Sequence, residues 1–167
     1  MNFVEDPVTT ATPAVQRVKP PLALVKLVNP AMRRILASPL HPLVRGHLLL
    51  LELTGRKTNR RYRIPVGYQD VDGRPTVFTN SPWRVNLRGG AEVTVTIRGA
   101  RRSARASLEQ DPETVARLYA EVIERFGWQA AQRRLDTKIS VGRTPTAKEL
   151  AEAVESSGLS IIRLDLT

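Results

Sequence analysis

The sequence predicts an α+β, mainly β fold: a small barrel of about six antiparallel strands with N-terminal and inserted helices. Three observations lead there. Apolar residues alternate with a period of two in 61–68, 92–98 and 160–166, the spacing that places one face of a strand on a core. Short turn signals, Asp72-Gly73 and Gly99-Ala100, join successive runs as hairpins do. Closing the sheet also removes the exposed edges that so many short strands would otherwise present.

In chain order, residues 1–12 read as a flexible leader, and 13–167 as one barrel domain. From Pro13 to about Ala37 the pattern is helical but broken by Pro20, Pro21 and Pro30. Its Leu and Val residues are interspersed with Arg17, Lys19 and Lys26, so 14–37 suits either a helix across the barrel mouth or a surface helix on anionic lipid. His47–Thr54 is a short apolar strand ended by Gly55. Arg61–Tyr68 is the next, with Pro65 marking a break or bulge. Pro75–Thr79 returns after the Asp72-Gly73 turn, and 80–90 is irregular. Glu92–Arg98 is the clearest strand; Arg101–Leu108 follows, with Ala104, Ala106 and Leu108 inward.

Asp111 caps a helix with Pro112 at its first position and Val115, Leu118, Tyr119, Val122 and Phe126 as its apolar stripe. Gly127 ends it, and a second helix spans about Trp128 to Leu135. Thr144-Pro145 starts a third, running to about Ser156 and stopped by Gly158. Ser160–Leu166 closes the sheet.

Composition excludes several chemistries. The chain has no cysteine, which removes disulfides, thiol nucleophiles and Cys-ligated metal. Its two histidines, His41 and His47, are too few for an ordinary multi-histidine metal site. No nucleophile elbow, P-loop or dinucleotide fingerprint is present, so an enzyme here would draw its chemistry from a cofactor. The net charge of +10 calls for an anionic partner. No basic start followed by an apolar run opens the sequence and no apolar run could span a bilayer, so the expected location is the cytoplasm, with peripheral contact at the inner membrane face through 14–37.

Two stretches could hold an anion. Thr54–Val66 joins two strands by a turn with Gly55, Thr58 and the cations Arg56, Lys57, Arg60, Arg61 and Arg63. Backbone N–H groups, a hydroxyl and guanidinium groups in one turn make a phosphate cradle. A solvated hairpin tip would carry the same charge. The second stretch, Asn80–Gly90, carries Trp83, which could stack on a flat heterocycle or plug the barrel end, and Asn86, which could hold a backbone carbonyl or a ring substituent.

Together and in this order, Gly55-Arg56-Lys57-Thr58, Arg63-Ile64-Pro65-Val66 and Trp83-Arg84-Val85-Asn86-Leu87 resemble the deazaflavin-dependent nitroreductase family, with Asn29-Pro30 and Ser38-Pro39-Leu40-His41 fitting its lead-in. The resemblance covers about residues 25–110. It implies a split β-barrel that binds coenzyme F420, whose polyanionic tail accounts for the basic turn. It further implies Arg56, Lys57, Thr58 and Arg63 on the phosphate and tail, with Pro65, Val66, Phe78, Thr79, Asn80, Trp83, Asn86 and Leu87 around the ring. The reaction implied is hydride transfer from reduced deazaflavin to a quinone, an activated alkene or a nitro compound. Tyr62 and Tyr68 are conceivable proton donors.

The sequence departs from the family at Asn59, where a glycine is usual, and in a short Asn80–Trp83 loop. FMN or haem in the same barrel, a non-enzymatic cofactor carrier and a nucleic-acid-binding barrel are the rival readings. Nucleic acid is not expected, because exposed aromatics do not interleave the basic run. The assembly expected is a monomer or a homodimer.

Overall fold

The computed structural model describes residues 13–17 and 47–167. The leader and most of the proline-broken segment lie outside those residues.

Seven strands form one antiparallel sheet: β2 (Leu48–Thr54), β3 (Arg61–Gly67), β4 (Gln69–Val71), β5 (Arg74–Thr79), β6 (Ala91–Ile97), β7 (Ala100–Glu109) and β9 (Ser160–Leu166). Their spatial order is β3-β2-β6-β7-β9-β5-β4. Period two is why one sheet serves two cores. Along β9, Ile162 and Leu164 turn into the curl of the sheet, against Leu49, Leu51, Val93 and Val95. Ile161, one residue out of step, faces the helices instead.

The helical layer packs on that second face. Helix α1 (Pro112–Phe126) begins at Asp111, whose carboxylate accepts the N–H of Thr114. Its buried residues Val115, Leu118, Tyr119 and Val122 meet Phe78 of β5, with the Phe78 and Tyr119 rings edge to face at 4.9 Å. Helix α2 (Trp128–Leu135) follows across Gly127, as its sequence indicates.

The expected closure is partial. Among the described residues the sheet is a curled half-barrel with β3 and β4 at its ends. Pro65 does not break or bulge β3: the register runs from Leu48↔Gly67 to Thr54↔Arg61 without a slip. A proline removes one ladder donor, and on an end strand that donor faces away from the sheet.

Three further differences have physical causes. Val15–Arg17, expected to be helical, is strand β1, paired with β8 (Thr137–Ile139). A three-residue strand whose partner lies far along the chain leaves no periodic signal, and burial of Val15 in the helix-side core decides its conformation. Helix α3 (Ala147–Ser157) starts three residues after Thr144, because Thr146 and Glu149 form a reciprocal capping box. The irregular 80–90 stretch contains a 3-10 turn, Pro82–Leu87. Of the segment 14–37, read as a helix across the barrel mouth or on anionic lipid, Val15–Arg17 is instead a strand with Val15 buried, and residues 18–37 lie outside the described residues. No helix among the described residues is long and apolar enough to cross a membrane.

Candidate functional site

The β2–β3 connection is a tight turn with its own internal bonds. Gly55 N–H donates to Arg60 O at 2.8 Å, and Asn59 N–H to Gly55 O at 2.9 Å. Asn59 takes φ 52°, the left-handed conformation that a glycine adopts freely and asparagine tolerates. Gly55 is required by proximity: a Cβ there would lie 2.9 Å from Cε2 of Tyr62 and 3.1 Å from Oγ1 of Thr58. The Tyr62 ring thus lies against the turn backbone.

This turn is fastened to the 3-10 turn by side-chain hydrogen bonds. Arg56 N–H donates to Oδ1 of Asn86 at 3.1 Å, and Nδ2 of Asn86 donates to Trp83 O at 2.9 Å. Nη1 of Arg56 donates to Arg88 O at 2.9 Å. Asn86 therefore links the two stretches that the sequence singles out separately. Its amide is spent on the backbone of both.

Around the fastening, Arg56, Lys57, Arg60, Arg61 and Arg88 are exposed. None of the five forms an ion pair with a described residue. Cations gathered without counter-ions make a corner of high positive potential, suited to a phosphate and a carboxylate chain. Thr58 keeps its hydroxyl at the same corner, with Oγ1 3.4 Å from Arg60 N. In donor chemistry the corner fits the polyanionic part of F420.

The other expected residues divide among several environments. Arg63 lies on the outer face of β3, 3.6 Å from Oε2 of Glu52, which also takes Arg101 at 3.3 Å. That face carries a groove of about 490 Å³ between Glu52, Thr54, Arg61, Arg63, Thr94 and Arg101. Val66 is half-buried against the barrel core, and Pro65 is half-buried one register position away. Leu87 is fully buried in that core, with Trp83 packed partly against it. Phe78 belongs to the helix-side core. Thr79 is buried at the end of β5, its Oγ1 accepting Ser81 N–H at 3.1 Å; Asn80 beside it donates to Ser157 O at 3.2 Å.

Of the two tyrosines, Tyr62 is half-buried beside the turn. Tyr68 is buried in the barrel core, with a hydroxyl that has no hydrogen-bond partner among the described residues. His47 is tied up structurally: its Nε2 lies 2.8 Å from Nη1 of Arg134. Burial, with Arg134 beside it, lowers the imidazole pKa from the usual range, favouring the neutral ring that can accept this bond.

A family model described as F420H(2)-dependent quinone reductase matches residues 25–143, well over half of the chain. The chain belongs to this family. It is an F420-dependent oxidoreductase, and the matched segment contains both fastened turns. No curated protein matches the sequence. Among solved structures, one described as a domain-swapped dimer is 12% identical, over 84% of this chain and 98% of its own, at a TM-score of 0.45. A conserved hypothetical protein from Mycobacterium tuberculosis is 17% identical, over 75% of this chain and 78% of its own, at 0.41. An FAD and haem binding protein from Mycobacterium smegmatis is 17% identical, over 78% of this chain and 67% of its own, at 0.43. These likenesses are distant and bear on neither ligand nor assembly.

Two contributors escaped sequence reading. Arg60 is visible as charge, but only the turn geometry separates it from Arg61 and Arg63, which share the outer face of β3. Arg84 gave no signal, because a half-buried arginine reads as one more surface cation until its surroundings are known.

Proposed function

We propose that this F420-dependent enzyme reduces a quinone, with activated alkenes and nitro compounds as further acceptors of the same electronic type. The observation that carries the site assignment is the Arg56–Asn86 fastening. It fastens a cationic turn, without counter-ions among the described residues, to the 3-10 turn that carries Trp83.

In this reading Lys57, Arg60 and the free part of Arg56 hold the cofactor's phosphate and tail carboxylates, with the Thr58 hydroxyl as an additional donor. Charge-assisted hydrogen bonds of this kind contribute about 1.5–3 kcal/mol each when formed to a desolvated partner. Trp83, Val66 and Pro65 flank the ring, and Asn86 keeps Trp83 in place by bonding its carbonyl. Arg63, shared with Glu52 on the outer face, contributes field rather than direct contact. Reduced deazaflavin supplies the hydride when bound. The protein's share is to fix the ring against the acceptor and to keep water from its face. Tyr62, beside the turn, is the better situated of the two tyrosines to deliver a proton.

The test is equilibrium binding of the purified protein to F420 and to FMN, followed by anaerobic oxidation of F420H2 with a soluble quinone, a cyclic enone and a nitroaromatic. Binding of F420 in the micromolar range or tighter, with turnover on the quinone, is the expected result. FMN binding with no F420 binding would overturn the cofactor assignment for this site, and F420 binding without quinone turnover would overturn the acceptor.

A further inference from the structure

Arg84 lies in the middle of the 3-10 turn, between Trp83 and Asn86, and its guanidinium folds back on the start of that turn. Its Nη1 donates to the carbonyls of Asn80, at 2.5 Å, and Ser81, at 3.0 Å. Its Nη2 stands 3.2 Å from where a Cβ on Gly158 would be. The side chain forms no ion pair with a described residue, and its Nε is buried without a hydrogen-bond partner. Burial, with Arg88 nearby, lowers its pKa from the usual guanidinium range. Nη1 alone bridges the two carbonyls, and the rigid planar guanidinium that carries it makes the side chain a structural clamp at the start of the 3-10 turn.

The clamp belongs to a larger polar knot. Asn80 donates its Nδ2 to Ser157 O at 3.2 Å, and Ser160 donates its Oγ to Thr79 O at 2.9 Å. Ser81 N–H reaches back to Thr79 Oγ1 at 3.1 Å. The end of β5 and the 3-10 turn are thereby tied to the corner between α3 and β9. Gly158 adopts φ 63° at that corner, and its lack of a side chain admits the Arg84 head. This corner lies beyond residue 143, outside the segment that the family model matches.

We propose that Arg84 is a positioning residue: it clamps the Trp83–Asn86 turn onto Asn80, which is itself bonded to the α3–β9 corner, so that the C-terminal layer sets how firmly the site holds its cofactor. For the ligand this rests on the F420 reading above; the clamp itself rests on the contacts of Arg84. The chain of contacts is continuous. Ser157 O at the α3–β9 corner holds Asn80, the carbonyls of Asn80 and Ser81 hold Arg84, Asn86 in the turn holds Arg56 N–H, and Arg56 is part of the cationic corner. Loss of the clamp leaves Arg56, Lys57 and Arg60 in place but loosens the frame that aligns them with Trp83.

The experiment uses the full chain in a Trp128→Phe background, so that Trp83 alone reports. Acrylamide quenching of Trp83 and F420 affinity are measured for the parent, Arg84→Met and Arg84→Lys, with far-UV circular dichroism as the fold control. The expected result for Arg84→Met is a more quenchable Trp83 and an affinity about tenfold weaker, with unchanged dichroism. Arg84→Lys restores the charge without the fork, so its expected values stay near those of Arg84→Met. Parental quenching and affinity in Arg84→Met would overturn the proposal, and so would full recovery in Arg84→Lys, which would make Arg84 a source of charge only. If Arg84→Met does not fold, Asn80→Ala gives the same quenching reading, since it removes the bond to Ser157 O that ties the clamp to the α3–β9 corner. If the parent fails to bind F420, the cofactor reading falls, and the quenching of Trp83 still decides the clamp.

Discussion

The protein carries two basic clusters of similar density, and the fold treats them in opposite ways. In the β2–β3 turn, Arg56, Lys57 and Arg60 lie at one corner and form no ion pair with a described residue. In the β6–β7 hairpin the cations are dispersed and partly neutralised. Arg101 pairs with Glu52 at 3.3 Å and Arg105 with Glu92 at 3.1 Å, both on the outer face. Arg102 lies across from Val95, on the other face of β7, and Arg98 sits in the turn. A strand sends successive residues to opposite faces, so a run of arginines along it cannot form one site. A turn fastened to a second turn can. The lesson is that charge density identifies candidates, whereas the absence of counter-ions and a shared direction identify a site.

The sharpest way to break this comparison is to remove two cations from each cluster. Arg56→Ala with Lys57→Ala should weaken F420 binding by about a hundredfold, because each group removed is a direct charge-assisted donor. Arg101→Ala with Arg105→Ala should change it by no more than about twofold, since exposed pairs contribute little and their partners remain solvated. Titration calorimetry on both double variants, at one salt concentration, decides between a local site and a diffuse field. Equal losses would show that net charge alone attracts the cofactor.

A smaller effect follows from cutting the fastening while keeping every cation. Asn86→Ala leaves Arg56 N–H and Trp83 O without their partner, a loss of about 1–2 kcal/mol in stability. F420 affinity should fall by about tenfold, with kcat less affected than KM. Thermal unfolding and steady-state kinetics on the same preparation separate the two contributions.

The smallest effect sharpens the contrast from the other side, by testing a charge that serves the fold alone. Hydrogen bonding to Arg143 and to the Thr146 backbone lowers the Glu149 pKa from 4.5 to about 2. A depressed carboxylate pKa favours the folded state above the unfolded value, and this contribution is lost as pH falls towards about 2. The melting-temperature difference between the parent and Glu149→Gln should therefore be largest near neutrality and shrink from pH 4.5 downward. Cofactor affinity at neutral pH should not respond. A stability difference independent of pH would remove the carboxylate from the α3 cap.

Much of the fold is legible because it is locally encoded. Alternation in Val93, Val95 and Ile97 marks β6, the Asp111-Pro112 pair marks the start of α1, and Gly127 and Gly158 mark helix ends. The misread places lack such local information. Val15–Arg17 is a strand only because Thr137–Ile139 comes back beside it. Thr146, two residues beyond Thr144, becomes the cap because Glu149 can reach its backbone. Pro65 looks disruptive in sequence and is harmless on an end strand.

The same division runs through the site. By itself the sequence determined that the protein is strongly cationic, that no cysteine is present for thiol or disulfide chemistry, and that short motifs carry the family resemblance. Those facts follow from residue types and short spacings, which need no third dimension. Only the tertiary structure decided that Asn86 and Arg56 hold the motifs together, that Arg63 turns away to Glu52, that Leu87 and Phe78 are core, and that Asn80 bonds the start of the 3-10 turn to Ser157 at the end of α3. Each of those outcomes depends on which face of a strand or turn meets an element far along the chain. A hydrogen bond between residues thirty positions apart has no periodicity to announce it.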